Sequence, residues 1–339
     1  MKFIQKIILI SLWLAFVPLM AADKKPITKE ESAKVIEAGI RKAAKKPTGE
    51  LTKADYEKVT RLNLGNNRVT DVKLTDVKGL ENLTQLKNLI LGGHKVTDVT
   101  ALEKLTKLTE LQLYDNQLTE LPKGLENLTQ LKSLDLSNTE LTDLTALEKL
   151  TELTDLYLQY NQLTELPKGL EKLTQLKILN LGANQLTDVK GLEKLTELTN
   201  LYLEYNQLTD VTGLVKLTQL KNLNLSDNKL KDVTGLENLT QLTWLKMDRN
   251  QLTELPKGLE KLTKLERLLL DSNQLTDVTG LENLTQLTQL LLNGNQLTDL
   301  KGIEKLTQLT LLLLHTNPDL TKAQISELQK ALPKCRISE

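Results

Sequence analysis

The sequence predicts an α/β solenoid, with a parallel β-sheet on a concave face, 3₁₀ turns and loops on a convex face, and a helical cap at each end. Three observations predict it. The phrase L-x-x-L-x-L-x-x-N-x-L starts at Val59, Leu86, Leu108, Leu131, Leu153, Leu176, Leu198, Leu220, Leu242, Leu265, Leu287 and Leu309, every 22 or 23 residues after one longer first step. The segments between these phrases, close to L-T-D-V-x-G-L-E-x-L-T, are too short for regular α-helices. Beyond the first and last phrases the pattern gives way to amphipathic stretches with helix-capping signals. Near-copies at this period mean units that touch only their neighbours and bury one continuous core between them.

The chain opens with Lys2 and Lys6, an apolar run from Ile7 to Met20, and Ala21-Ala22 before the polar Asp23-Lys24-Lys25. Residues 1–22 thus have the order of a secretory signal peptide, which predicts export to the medium or to the periplasm and cell envelope. Left uncleaved, the segment would anchor the chain in a membrane; its shortness and Pro18 favour cleavage. Residues 23–58 are expected to form an N-terminal helical cap. Thr28-x-x-Glu31 is a capping box, and the helix it opens carries Val35, Ile36, Gly39, Ile40 and Ala43 on its apolar side. Pro47 to Gly49 break the chain, and Thr52-x-x-Asp55 opens a shorter turn leading through Tyr56 to the first strand.

Residues 59–317 carry the repeats. In the unit Leu176 to Glu197, Leu176, Leu179, Leu181, Leu186, Val189, Leu192 and Leu195 point inward, and the residues between Leu176 and Leu181 alternate outward as a short strand. A single unit does not bury enough apolar surface to offset the entropy of ordering it, whereas stacked units do. Asn184 closes the strand phrase, and ten of the twelve equivalent residues are asparagine. One amide side chain offers both a donor and an acceptor to a buried turn, so these residues are expected to stack as a ladder, with His94 and Thr139 as substituted rungs. Three return segments, beginning at Leu118, Leu163 and Leu252, read L-T-E-L-P-K-G-L-E-x-L-T and are one residue longer. Their Pro122, Pro167 and Pro256 fix φ where a helical turn is expected. Asn82, Asn127, Asn238 and Asn283 lie in N-L-T, which consensus spacing explains more simply than glycosylation. Residues 318–339 are expected to cap the far end, with Thr321-x-x-Gln324 opening a helix that Pro333 stops and Ile325, Leu328 and Leu332 on one face.

These phrases resemble the leucine-rich repeat family over Val59 to Asn317. The spacing and the L-T-D-V-x-G-L-E-x-L-T returns are similar to the bacterial, internalin-like class and to the intracellular phosphatase-regulator class, and the passage Lys46-Pro47-Thr48-Gly49-Glu50-Leu51-Thr52-Lys53-Ala54-Asp55 is similar to secreted bacterial members. The resemblance implies a horseshoe-shaped solenoid and, as the family's usual role, binding of a protein partner. It does not imply which partner.

Because stacking fixes the leucines, partner recognition is expected at the outward positions. Tyr114, Tyr157, Tyr160, Tyr202, Tyr205 and Trp244 all fall there, and aromatics are enriched at interface hot spots. Tyr157 with Tyr160, and Tyr202 with Tyr205, lie two strands apart, about 10 Å. Ile178, Asn180, Gly182 and Ala183 on the strand between predict a shallow trough with tyrosine walls. Beside it Trp244, Lys246, Asp248, Arg249, Arg267 and Asp271 form a mixed-charge patch. Leu269, Leu291, Leu311 and Leu313 then make an outward apolar stretch suited to a second contact or to self-association. The candidate partner-binding residues are therefore Tyr114, Tyr157, Tyr160, Ile178, Tyr202, Tyr205, Trp244, Lys246, Arg249 and Arg267. A protein partner is expected first, with a glycan or cell-wall polymer as the alternative because aromatic faces also stack on sugar rings.

Other chemistry finds little support. The chain has 44 basic and 44 acidic residues and no basic stripe, so nucleic acid is not an expected partner. His94 and His315 are ten strands apart, about 50 Å, and cannot form a dyad. No His/Cys cluster has metal-ligand spacing and no glycine-rich phosphate loop occurs, so neither cofactor nor catalysis is expected. Cys335 is the single cysteine, which excludes an intramolecular disulfide and is expected to pack into the terminal cap.

Overall fold

A computed structural model describes residues 26–65, 72–121, 123–142 and 144–339. The targeting segment, Asn67 and Pro122 lie outside them. Thirteen three-residue strands form one parallel sheet in strictly sequential order. They are β1 (Arg61–Asn63), β2 (Asn88–Ile90), β3 (Glu110–Gln112), β4 (Ser133–Asp135), β5 (Asp155–Tyr157), β6 (Ile178–Asn180), β7 (Asn200–Tyr202), β8 (Asn222–Asn224), β9 (Trp244–Lys246), β10 (Arg267–Leu269), β11 (Gln289–Leu291), β12 (Leu311–Leu313) and β13 (Arg336–Ser338). The register is the same at every step: Leu156 pairs with Leu179, Leu179 with Leu201, and Leu201 with Leu223. Each central leucine is fully buried and its two strand neighbours face outward, which is the alternation the phrase predicts.

The return segments are short 3₁₀ turns, as expected. In the shorter returns an aspartate accepts from the backbone two residues on, as Asp188 Oδ1 does from Lys190 N (3.0 Å) and Asp232 from Thr234 N (3.0 Å). The glutamate of G-L-E folds back in the same manner, Glu193 Oε2 accepting from Gly191 N at 2.7 Å. Gly191 sits at φ 107, a conformation that costs a residue with a Cβ; where Ala101 and Ala146 stand at the same place the backbone does not adopt it. Pro167 and Pro256 do not begin the helical turn. Their carbonyls accept from Leu170 N and Leu259 N, so each proline opens the β-turn that leads into it.

The asparagine ladder is present. Asn206 Oδ1 accepts from Leu186 N (2.9 Å), and its Nδ2 donates to Leu181 O (3.0 Å) in the preceding unit and Leu203 O (3.1 Å) in its own. Asn116, Asn184, Asn228, Asn250, Asn273, Asn295 and Asn317 repeat the pattern. His94 imitates it with a ring: Nδ1 accepts from Leu74 N (3.3 Å) while Nε2 stands 2.7 Å from Leu64 O. That pair of contacts requires the neutral ring protonated at Nε2. Thr139 is a shorter rung, its hydroxyl donating to Leu136 O inside its own unit and bonding onward to Asn161.

At the N-terminus α1 (Lys29–Ala44) begins with the Thr28/Glu31 capping box. Its buried face is Ser32, Ile36, Ile40 and Ala44; Ala43, expected inside, is exposed, because the face follows the 3.6-residue turn by one position. Gly39 lies so close to Leu64 that a Cβ would stand 2.5 Å from its methyl. In the next helix, α2 (Lys53–Glu57), Asp55 is buried and accepts from Thr52 N and Oγ1, with Lys46 and Lys58 each at 3.0 Å. These bonds hold its carboxyl far below the usual carboxylate range.

At the other end α3 (Lys322–Ala331) starts on the Thr321/Gln324 box and buries Leu328 and, just beyond it, Leu332 against the last repeat. The sequence reading ends the chain on this helix. The structure adds β13, which continues the sheet by pairing with β12 through Arg336 N to Thr310 O and Leu314 N to Ser338 O. Cys335 is buried at the joint between α3 and β13, where burial raises its thiol pKa. Among the described residues, no helix is long and apolar enough to cross a membrane.

Candidate functional site

Four outward positions recur in each strand phrase: the third and fifth flank the central leucine, and the seventh and eighth follow the strand. In the fifth-position row Tyr157, Asn180 and Tyr202 are consecutive Cα partners on β5, β6 and β7. The two rings therefore stand about 9.6 Å apart across a small amide. Both are partly exposed, and Tyr157 is withdrawn from water enough to raise its hydroxyl pKa, with Asp155 and Asp135 adding to the effect. In the third-position row Ile178 lies between Asp155 and Asn200, half-buried.

Tyr160 and Tyr205 occupy the eighth position, on the turn that leaves the strand. Their φ values are 59° and 55°, the left-handed region, which other repeats fill with Gly93, Asp115, Asn138, Ala183, Asp227, Arg249, Ser272, Gly294 and Thr316. An aromatic residue there is strained relative to the Gly, Asp and Asn among them. They are also the two exposed large apolar side chains among the described residues, at 65% and 45%.

The predicted trough is not open along its whole length. A Cβ on Gly182 would lie 2.8 Å from the Glu204 carboxylate, so Glu204 folds back over the glycine and closes that end. Tyr114 does the same to Gly92, where a Cβ would lie 2.3 Å from its ring. Tyr114 therefore belongs to a separate packing event two strands from Tyr157, not to the trough.

On β9 and β10 the mixed-charge patch is held together internally. Lys246 Nζ lies 3.2 Å from Asp248, and Arg249 lies 3.4 Å from Asp227 with the Tyr205 hydroxyl also against its guanidinium. Tyr202, Asn222, Thr243, Trp244, Glu266 and Arg267 line an open groove of about 420 Å³, which joins the patch to the tyrosines. Leu269, Leu291 and Leu313 follow as direct partners in one row, half-buried, with Leu311 beside them.

At the seventh position sequence reasoning named Tyr114, Gly182, Asp248 and Asp271 but missed Gln159 and Glu204. Gln159 Oε1, Glu204 Oε2 and Asp248 Oδ1 are buried without a hydrogen-bond partner. Burial raises the carboxyl pKa of Glu204, Asp248 and Asp271. Where the fifth residue is Asn or Asp it caps the seventh N–H, as Asn180 caps Gly182 (3.0 Å), Asn224 caps Ser226 (3.1 Å) and Asp135 caps Ser137 (3.0 Å). Where it is Tyr157, Tyr202 or Lys246, the seventh residue is one of the three with an unpartnered atom. From β4 to β9 the surface therefore repeats every second strand: β4, β6 and β8 carry small seventh residues, and β5, β7 and β9 carry Gln159, Glu204 and Asp248, while Asp271, Asn293 and His315 on β10 to β12 do not continue the alternation. The second position alternates in step, with Lys132, Lys177 and Lys221 followed by Thr154, Thr199 and Thr243, whose hydroxyls donate to those lysine carbonyls. Comparing alternate units instead of neighbouring ones would have exposed this pattern. Among the described residues, no cluster of three or more His, Cys, Asp or Glu is placed to hold a metal ion.

Comparison with known proteins agrees with this geometry. Leucine rich repeat models match residues 106–163, 151–208 and 240–297, and a two-copy Leucine Rich repeats model matches 196–238. An internalin (InlF) from Listeria monocytogenes superimposes with a TM-score of 0.80 at 33% identity, over 94% of this chain and 99% of that one. The chain belongs to the leucine-rich repeat family and is internalin-like. Internalin C2 of the same organism is similar over 63% of this leucine-rich repeat chain and 92% of its own, with 34% identity and a TM-score of 0.59. The functional domain of InlJ from L. monocytogenes, which includes a cysteine ladder, matches with a TM-score of 0.77 and 25% identity, over 89% of this chain and 67% of that one. No curated protein sequence matches the chain.

Proposed function

We propose that this is an exported, non-enzymatic binding protein that recognises a protein partner through its concave sheet. The observation that carries the reading is the pair Tyr160 and Tyr205, the two exposed large apolar side chains among the described residues, on left-handed backbone that most other repeats fill with small or turn-forming residues, Arg249 and Thr316 aside. Strain of this kind persists where something other than folding selects it. Together with Tyr157, Tyr202, Ile178 and Trp244 they supply wide apolar contact of low conformational entropy, and Lys246, Arg249 and Arg267 supply charge at its border. Family membership supports binding as the activity, and the order of charged, apolar and small residues in 1–22 supports export.

The test is simultaneous alanine substitution of Tyr157, Tyr160, Tyr202 and Tyr205, followed by crosslinking in the native medium or envelope and mass spectrometry. Loss of crosslinked protein with unchanged circular dichroism is expected; unchanged recovery overturns the reading. A glycan partner is the second reading, favoured by the amides Asn180, Asn222 and Asn224 between the rings. Capture that survives protease treatment of the ligand would replace the first reading with it.

A further inference from the structure

The groove on β7 to β10 has a chemistry that the tyrosine trough lacks. Asn222, Trp244 and Arg267 are consecutive Cα partners in the third-position row. Tyr202 belongs to the fifth-position row, but its hydroxyl lies 3.5 Å from Asn200 Nδ2, so its ring leans toward the third row and walls the groove. Thr243 and Glu266, at the second position of β9 and β10, complete the lining. At about 420 Å³ the space is of small-ligand size, and its open mouth admits one unit of a longer chain.

Hydrogen-bonding capacity is satisfied around this groove and left over inside it. Asn180 and Asn224 commit Oδ1 to backbone N–H groups of their own units, and Asn200 bonds to Thr199 and Tyr202. Lys246 is paired with Asp248, and Arg249 with Asp227. In the groove, the Asn222 amide, the Trp244 indole N–H, the Glu266 carboxylate and the Arg267 guanidinium have no partner among the described residues. Thr243 donates its hydroxyl proton to Lys221 O (3.2 Å) and offers a ligand only its lone pairs.

Charge and shape together select a class of ligand. The lining carries one cation, Arg267, and one anion, Glu266, which do not pair with each other; Lys221 stands outside it. A cationic ligand drawn to Glu266 is repelled by Arg267 beside it, and an anionic one meets the reverse. Amide, carboxylate and guanidinium side by side suit a molecule with many groups that both donate and accept. The aromatic walls suit one with an apolar face. A pyranose ring has both, a rim of hydroxyls and a face of C–H groups.

We propose that this groove is a subsite for one uncharged pyranose unit of a glycan, stacked on Trp244 and Tyr202 and hydrogen-bonded to Asn222, Glu266 and Arg267. The proposal rests on the second reading above, the glycan partner, and gives it a place and a chemical class. Whether the glycan is carried on a protein or is a free polymer, the groove meets the same chemistry.

Trp244 is the only tryptophan besides Trp13, so in the full chain carrying Trp13→Phe its fluorescence reports on the groove. The titrants are cellotetraose, mannotetraose and tetra-N-acetylchitotetraose, all uncharged, and tetragalacturonate, with a carboxylate on each ring. At least one uncharged oligosaccharide is expected to change the emission saturably and to bind at least about tenfold tighter than tetragalacturonate. Asn222→Ala and Glu266→Gln should each weaken it by about fivefold or more. Trp244→Ala, followed by calorimetry, should weaken it by about tenfold or more. Should either alanine variant fold poorly, Glu266→Gln keeps the side-chain shape and carries the test.

No saturable binding of any uncharged oligosaccharide, or binding indifferent to these substitutions, overturns the proposal. Binding of tetragalacturonate alone overturns it too and leaves the glycan reading standing. If no oligosaccharide binds and capture from the native medium or envelope does not survive protease treatment, both fall. Where an uncharged oligosaccharide binds and competes with that capture, protease treatment separates the sources: loss marks a glycan carried on protein, and survival marks a free polymer.

Discussion

The buried seam of asparagines and the outward face of the same strands keep different time. Along the seam each unit is equivalent to the next, because every rung must bridge one unit to the one before it. On the face from β4 to β9 the pattern returns only at every second strand, in the alternation of Lys177 with Thr199 and of Gly182 with Glu204. Stacking demands the first period and is indifferent to the second. The seam is thus a solution to folding, and the face records something folding does not require.

The sharpest way to break this contrast is to mutate both sides of one strand. Leu201→Ala in β7 is expected to cost about 2–5 kcal/mol in chemical denaturation, because its central side chain is fully buried between neighbours. Asn200→Ala on the outward side of that strand should stay within about 0.5 kcal/mol. Comparable losses at both positions would mean that the face is structural too.

The seam itself can be tested in both directions. Asn228→Ala leaves Leu208 N and Leu203 O without their side-chain partner and is expected to destabilise by about 2–3 kcal/mol. Thr139→Asn should gain about 1 kcal/mol by completing a rung that the shorter side chain does not carry to the preceding unit. A lowered melting temperature for Thr139→Asn would show that the threonine is the fitted residue.

Acidity separates the two regions as well. Burial lowers the pKa of His94 in the seam, opposed by its contact with Leu64 O. The unfolded chain then binds more protons than the native one between the lowered value and the ordinary 6.5, so this residue's stability is present above about 6.5 and is lost as pH falls through that window. Nδ1, once protonated, would point a donor at Leu74 N–H. Glu204, Asp248 and Asp271 on the face have the opposite sign: burial raises their values, so stability falls as pH rises from the ordinary carboxylate range through the folded values. Melting curves from pH 7.5 to 4 should show His94→Asn removing the loss that sets in below about 6.5. The smallest effect expected is Glu204→Gln removing part of the gain that appears as pH falls toward the ordinary carboxylate range.

Much of the fold was legible because it is written in repeated, physically forced letters. Leucines at fixed spacing gave the strands, the asparagines gave the ladder, and Thr28 with Glu31 and Thr321 with Gln324 gave the caps. The thirteenth strand was not legible: Arg336, Ile337 and Ser338 have no leucine phrase and join the sheet through main-chain bonds to β12. The candidate site was legible in its residues and less so in its shape. Tyr160 and Tyr205 read as strand positions: Asp115, Asn138, Asp227, Ser272 and Gly294 at the same place suit a left-handed turn, but Ala183, Arg249 and Thr316 there blur that signal. The covering of Gly182 by Glu204 is a contact between units, which no pattern within one unit records.

The parity of the face has a consequence for evolution and design. Deleting the span from Leu176 to Leu198 would leave a seam that closes as well as before, since each rung asks only for a predecessor. The aromatics on either side of the cut would then sit on adjacent strands, half a step out. Between β4 and β9 an insertion or deletion that keeps this alternation is therefore expected in blocks of 44 or 45 residues, the distances from Leu176 to Leu220 and from Leu153 to Leu198, even though a block half that size is expected to fold.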